Sequence, residues 1–245
     1  MEAYTGFAQV YDMFMDNVPY EEWCAYICGC FRQNGISEGA VLDLGCGTGE
    51  LTRLMAKKGY DMIAVDSSVD MLEIASQNWE DGILYIHQRM EELELGESVQ
   101  AAYSACDSVN YILEEEDLLQ AFCRVYSHLM PGGIFLFDMN TDYKYRVLLG
   151  ENTFAESRDE GSFIWENYYD EESAVNEYDL TLFIPEEGEL FRRYTELHYQ
   201  KNYSMERVRK LLEQAGFCDI CLYDDYTDNP VREDSERCTI TARKK

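Results

Sequence analysis

The sequence predicts an α/β fold: a doubly wound, mostly parallel seven-stranded sheet with a C-terminal antiparallel hairpin and a small antiparallel β insertion. Three observations predict it. Apolar strand-like runs alternate with helical patterns up to about residue 140, as βα units of a parallel sheet do. Residues 151–200 switch to period-two alternation rich in aromatics and acids. Beyond residue 200 the helix-then-strand rhythm returns. Residues 1–140 and 201–245 are therefore expected to form one Rossmann-like domain, and 141–200 an inserted β subdomain or lid. A length of 245 residues suits that plan.

The elements follow in order. A helix is expected over Glu21 to Gln33, ahead of a first strand at Val41 to Leu44. The strand runs into Gly45, Gly47 and Gly49, and a helical stretch follows from Leu51 to Ala56. Met62 to Val65 is the second strand and ends in Asp66, with a helix at Met71–Gln77. Ile83 to Ile86 and Ala101 to Cys106 are the third and fourth strands. Glu116 to Leu129 carries apolar residues at helical spacing, Pro131-Gly132-Gly133 stops it, and Ile134 to Asp138 is a fifth, buried strand. Three antiparallel strands are expected in the insertion, around 163–169, 178–184 and 190–198, joined at Asp170–Ser173 and Pro185–Gly188. Ser204 is the expected N-cap of a helix over Arg207 to Ala215, which Gly216 ends. Phe217–Tyr223 and Cys238–Ala242 close the sheet.

The strand, glycine turn and helix N-terminus together make a nucleotide cradle, because glycine lets backbone approach a ligand closely. The spacing is G-x-G-x-G rather than the dinucleotide G-x-G-x-x-G, and no Lys-Ser or Lys-Thr pair follows to make a P-loop. Leu42-Asp43-Leu44-Gly45-Cys46-Gly47-Thr48-Gly49 resembles motif I of the class I S-adenosylmethionine-dependent methyltransferases, and the insertion and N-terminal segment narrow the resemblance to the bacterial small-molecule type. The resemblance implies S-adenosylmethionine as cofactor, held at Asp43, Gly45, Cys46, Gly47 and Gly49. Asp66, about 20 residues after the turn, would accept both ribose hydroxyls through its two oxygens. Its plainer reading is a strand-end Asp or a helix cap. Val65-Asp66-Ser67-Ser68 with Met71-Leu72 resembles the family's next segment, which sets Ser67 and Met71 near the nucleoside. Met71 also reads as an ordinary core methionine.

Where family members often carry an Asp that accepts from the adenine amino group, this chain has Arg89. A guanidinium only donates. Backbone groups of Arg89 and Met90 are the expected adenine contacts, with an exposed Arg89 side chain as the alternative. Asp107-Ser108-Val109-Asn110-Tyr111 looks like motif IV at the sheet's carboxyl edge, where ligands of open α/β sheets bind. The resemblance sets Asp107, Ser108 and Tyr111 against the cofactor and Asn110 toward the methyl group and acceptor. Asp107 and Ser108 could equally cap the turn after them. Tyr4-x-x-Phe7-Ala8-x-x-Tyr11-Asp12 resembles the family's cofactor-covering first helix, so a hydroxyl from Tyr4 or Tyr11 is expected at the cofactor or acceptor. An amphipathic helix packing on the core is the other reading.

Forty-eight acidic residues oppose twenty basic ones, a net charge of −28. Such a surface repels a nucleic acid backbone and anionic membranes, so no nucleic acid and no membrane partner is expected. No apolar run approaches the roughly 18 residues of a membrane span, and the opening residues lack a secretory pattern. The nine cysteines read as reduced, cytoplasmic thiols, with no metal site. Across 151–200 there are 14 Asp and Glu against 3 Lys and Arg, and six tyrosines (Tyr168, Tyr169, Tyr178, Tyr194, Tyr199, Tyr203) lie in or just past it. The expected partner is a small-molecule acceptor, with a cationic amine favoured by that charge.

Methyl transfer is an in-line displacement, so the protein must align the acceptor, exclude water and, for protonated acceptors, take a proton. Of the three histidines, His198 stands two residues from Glu196, on the same face of a strand. The pair is the candidate base, with Tyr11 and Asn110 as further catalytic candidates. An exposed pair on a polar strand face is the plain alternative. The functional alternatives are a non-catalytic S-adenosylmethionine-binding module and a protein or RNA methyltransferase.

Overall fold

The computed structural model describes residues 14–15, 17–78, 80–186 and 190–245. Helix α1 (Tyr20–Gln33) buries Trp23, Cys24, Ile27, Cys28 and Phe31 along one side. Then come β1 (Gly39–Leu44), α2 (Glu50–Lys57), β2 (Tyr60–Asp66), α3 (Val69–Gln77), β3 (Ile83–His87) and β4 (Val99–Ser104). Helix α4 (Glu115–His128) leads into β5 (Leu129–Asn140). The insertion holds β6 (Thr153–Arg158), β7 (Gly161–Asp170), β8 (Val175–Pro185) and β9 (Phe191–Lys201). Helix α5 (Met205–Ala215), β10 (Cys218–Asp224) and β11 (Arg237–Arg243) finish the chain.

The main sheet runs β10-β11-β5-β4-β1-β2-β3. Strands β3, β2, β1, β4 and β5 are parallel, and β11 pairs antiparallel with both β5 and β10. Order reverses between β1 and β4, so the carboxyl ends of these two strands open the crevice in which such sheets bind ligands. Apolar residues cover both faces of the central strands. Leu42, Val65, Phe135 and Phe137 join one core cluster with α4 and α5, while Val41, Met62, Ala101 and Leu136 join the other with α1 and α2. A second, four-stranded antiparallel sheet is ordered β6-β7-β8-β9.

Differences from the sequence expectation are local. Strand β6 was not expected, because Thr153–Arg158 is mostly exposed and carries no clean apolar alternation; pairing with β7 makes it a strand. Strand β5 begins at Leu129 rather than after the glycines. Strand β4 stops at Ser104, because Cys106 and Asp107 take left-handed backbone at φ 57° and 49°. A π-helical turn, Lys144–Leu149, bridges toward β6. Ser204 and Gly216 cap α5 as expected, with Ser204 Oγ accepting from Arg207 N at 3.3 Å. Among the described residues, no helix is long and apolar enough to cross a membrane.

Candidate active site

A cavity of about 1170 Å³ opens between the carboxyl ends of β1, β2 and β4 and the inner face of the second sheet. Its floor is the glycine turn. Gly45 N and Cys46 N both donate to Val65 O, at 2.7 and 3.0 Å, which lays the turn across the end of β2. Gly45 has φ +79°, and a Cβ there would stand 2.7 Å from Ser108 Cβ and 2.8 Å from Met90 Cε. Gly47, at φ +54°, has nothing within 4 Å of such a Cβ, so the backbone is bare where it faces the cavity.

Asp66 stands beside the turn. Its Oδ2 accepts from Gly47 N at 2.7 Å and its Oδ1 from Ser68 N at 2.8 Å. The helix cap is Ser68, whose Oγ accepts from Met71 N at 3.2 Å. Burial raises the Asp66 carboxyl above the ordinary range despite those donors. Asp43 is more deeply set. Its Oδ2 accepts from Thr52 Oγ1 at 2.5 Å and Tyr103 Oη at 2.7 Å, which ties β1 to α2 and β4. Burial pushes its carboxyl up to about 7, against the pull of those two donors. Ser67, Met71, Met90 and Cys46 all line the same end of the cavity.

The other end of the cavity is made from distant segments. Asp107, strained into left-handed backbone, donates its N–H to Asp138 Oδ2 at 2.9 Å. Its side chain is held by Arg237 at 3.0 Å and by Gln200 Nε2 at 2.6 Å. Burial works against the Asp107 charge, but Arg237 and Lys144 hold its carboxyl below the usual range. Arg237 also pairs with Asp138 and lies over the Trp23 ring, 5.3 Å from its centroid. Tyr226 Oη donates to Asp138 Oδ1 at 2.6 Å. Gln200 Oε1 accepts from Tyr178 Oη at 2.5 Å, Tyr145 Oη at 2.8 Å and Asn140 Nδ2 at 3.2 Å. That glutamine thus fastens β9 and β8 to the β4 loop.

A cradle of bare backbone, an acidic strand end 19 residues on and a strained loop meet at the sheet's switch point, and the comparisons with known proteins agree with them. Residues 41–133 match the family model for a methyltransferase domain. A chain of Geobacillus sp. (strain WCH70), provisionally named a methyltransferase, is 36% identical over 99% of this chain and 100% of its own length. The crystal structure of an S-adenosylmethionine-dependent methyltransferase from Clostridium acetobutylicum ATCC 824 superposes with a TM-score of 0.88 at 30% identity, covering 98% of each chain. This chain is a class I S-adenosylmethionine-dependent methyltransferase. Over 54% of its length and 56% of the relative's it is also 31% identical to the dTDP-3-amino-3,4,6-trideoxy-alpha-D-glucopyranose N,N-dimethyltransferase of Streptomyces venezuelae.

The methyltransferase site gathers most of the residues that the sequence singled out, and corrects several. Asp43, Gly45, Cys46, Gly47, Asp66, Ser67, Met71, Arg89, Met90, Asp107, Ser108, Tyr111 and His198 line the cavity. Gly49 lies behind it as the left-handed N-cap of α2. Tyr4 and Tyr11 fall outside the described residues. Asn110 is not a cavity residue. It is fully buried, its Nδ2 donates to Lys201 O at 2.8 Å and its Oδ1 accepts from Asn140 N at 3.1 Å, so both ends of its amide are spent joining β9 to β5. Arg89 turns its guanidinium onto Glu91. Asp107 takes the N-cap position of the turn Ser108–Tyr111 without a side-chain cap bond.

In the insertion, strand alternation turns several side chains away from the cavity. Glu166, Glu177 and Asp179 are on the face turned away from the cavity, as is Tyr168, 63% exposed. Tyr203 is in the core, donating to Ile112 O at 2.8 Å. Tyr194 packs among Leu180, Leu182 and Phe163, and Tyr169 stacks on Tyr145. Only Tyr178 and Tyr199 of the six reach the cavity. His198 and Glu196, by contrast, are 5% and 7% exposed and face inward, with Nε2 3.3 Å from Oε2. Tyr111 sets its ring edge-on to the imidazole at 6.0 Å. Lys144, Arg237, Gln200, Phe163 and Trp165 were not foreseen as cavity residues. The alternation that flagged His198 extends to Gln200, and that of β7 to Phe163 and Trp165; nothing local marks Lys144 or Arg237.

Proposed function

We propose that this methyltransferase acts on a small molecule enclosed between the glycine turn and the inner face of the second sheet, with residues 141–200 as its lid over the 1–140 and 201–245 domain. The single observation that carries this reading is the cavity. Its volume exceeds the roughly 300–1,000 Å³ of a site for one ligand, leaving room for a nucleoside cofactor and an acceptor. The acceptor end is walled by Phe163, Trp165, Tyr178 and His198 and lies under a sheet, a shape for a compact molecule rather than a folded protein or RNA. Sequence similarity to a dimethyltransferase of an amino sugar supports a small acceptor with an amine nucleophile. A net charge of −28 opposes nucleic acid, and nine unbridged thiols support work in the reducing cytoplasm.

In this reading S-adenosylmethionine supplies the methyl group and the sulfonium leaving group. Gly47 and its neighbours bear on the amino acid end, and Asp66 on the ribose. Glu196 fixes the imidazole of His198, which takes the proton that a protonated amine must lose to become a nucleophile. The walls keep out water. The test is a panel of small amines, alcohols and acids, followed as S-adenosylhomocysteine release. An amine is expected to turn over, and His198→Gln to lower kcat about 100-fold with S-adenosylhomocysteine affinity unchanged. Unchanged turnover in that variant removes His198 as the base, and turnover of peptides or RNA alone removes the small-molecule reading.

A further inference from the structure

The acceptor end holds a lysine that the chemistry above does not use. Lys144 stands in the turn after β5, lines the cavity, and donates from Nζ to Asn140 Oδ1 at 2.8 Å. An ammonium has three donors. Among the described residues no carboxylate lies within ion-pair distance of this one. Of the three acids whose charge bears on it, Asp107, Asp138 and Glu236, the first two already have partners. Asp107 is held by Arg237 and Gln200, and Asp138 by Arg237, Tyr226 and the Asp107 N–H. The buried Glu196 is beside His198. Burial and the Arg237 guanidinium press the Lys144 ammonium below the usual lysine range, against the pull of the Asp107, Asp138 and Glu236 carboxylates.

The lid adds a second observation. Its inner wall presents Phe163, Trp165, Tyr178, His198 and Gln200 to the cavity, and the carboxylates of Glu166, Glu177 and Asp179 are on the other face. Those three carboxylates therefore do not act at short range on the acceptor, and Glu196, which faces inward, is beside His198. We propose that Lys144 is the anion anchor of the acceptor site: the acceptor carries an oxyanion, a carboxylate or a phosphate, that takes the remaining N–H donors of Lys144 while its methyl-receiving atom lies elsewhere in the same cavity. This rests on the reading of the cavity as the acceptor site. It reverses the cationic preference that composition suggests, while leaving an amine as the nucleophile.

The full chain, first loaded with S-adenosylhomocysteine, is titrated with inorganic phosphate, with acetate, and with methylammonium at matched ionic strength. Binding is read by ³¹P and ¹³C line broadening. Phosphate or acetate is expected to bind, the stronger of the two showing which oxyanion the acceptor bears. Lys144→Met should weaken that binding at least about tenfold and Lys144→Arg should keep most of it. S-adenosylhomocysteine affinity and melting temperature should stay as in the parent. Equal anion binding in Lys144→Met, binding of methylammonium alone, or no binding of either anion overturns the anchor. Failure to load S-adenosylhomocysteine would instead count against the site as a whole.

Discussion

The two ends of the cavity are built by opposite means. The cofactor end is mostly backbone from one stretch, residues 43–49, plus one carboxylate 19 positions on, Asp66. The other end, the proposed acceptor end, gathers residues from distant segments: Lys144, Trp165, Tyr178, His198, Gln200 and Arg237. Backbone cradles recognise what every methyltransferase of the class shares and tolerate little change, since a glycine at φ +79° has no substitute. Side-chain walls can be rewritten one residue at a time, which is how one fold serves many acceptors.

The contrast is broken most sharply at Gly45. Gly45→Val drives a branched side chain into Ser108 and Met90 on left-handed backbone, and should lower S-adenosylhomocysteine affinity about 100-fold or more by calorimetry. Gly47→Ala is the control. Its Cβ meets nothing, so the unfolding free energy should fall by only about 1 kcal/mol while affinity still drops, because the added methyl sits on the cavity wall. Equal loss of stability in both would undo the distinction between a packed and a bare glycine.

A second, smaller effect belongs to Asp43. Its carboxyl is pushed up to about 7 from an ordinary 3.8, so between pH 4 and 7 the folded chain keeps a proton that the unfolded chain releases. By linkage this group's contribution falls as pH rises through that window and levels off above 7. Asp43→Asn retains an acceptor for Thr52 and Tyr103 and removes the slope. The variant should match the parent at pH 4 and exceed it by about 1–4 kcal/mol at pH 8 in denaturant titrations. A variant less stable than the parent at both ends would show that the carboxylate charge is used in the fold.

The mildest test sharpens the acceptor side. Gln200→Leu strips the partner from the Tyr145 and Tyr178 hydroxyls and from Asp107, at about 1–3 kcal/mol. It should lower acceptor kcat/KM about tenfold and leave S-adenosylhomocysteine affinity within about twofold. A matching loss of cofactor affinity would mean the two ends are one mechanical unit.

Much of this protein was legible residue by residue. The strand–turn–helix at Val41–Leu51, the acidic ends of β1 and β2, the Ser204 and Gly216 caps and the shared strand face of His198 and Glu196 depend on neighbours in sequence, where backbone geometry and a period of two or 3.6 decide the outcome. Asn110 shows where that reasoning stops. It stands in the right motif, yet its amide is claimed by Lys201 and Asn140, 91 and 30 positions away. Likewise no local pattern brings Arg237, 130 residues on, to Asp107, or chooses which face of β7, β8 and β9 turns to the cavity. Sequence alone determined the fold class and the cofactor cradle, because both are written in contiguous backbone and hydrophobic period. Only the tertiary structure decided the acceptor wall, because sheet register and the docking of one sheet over another choose which distant side chains share a space.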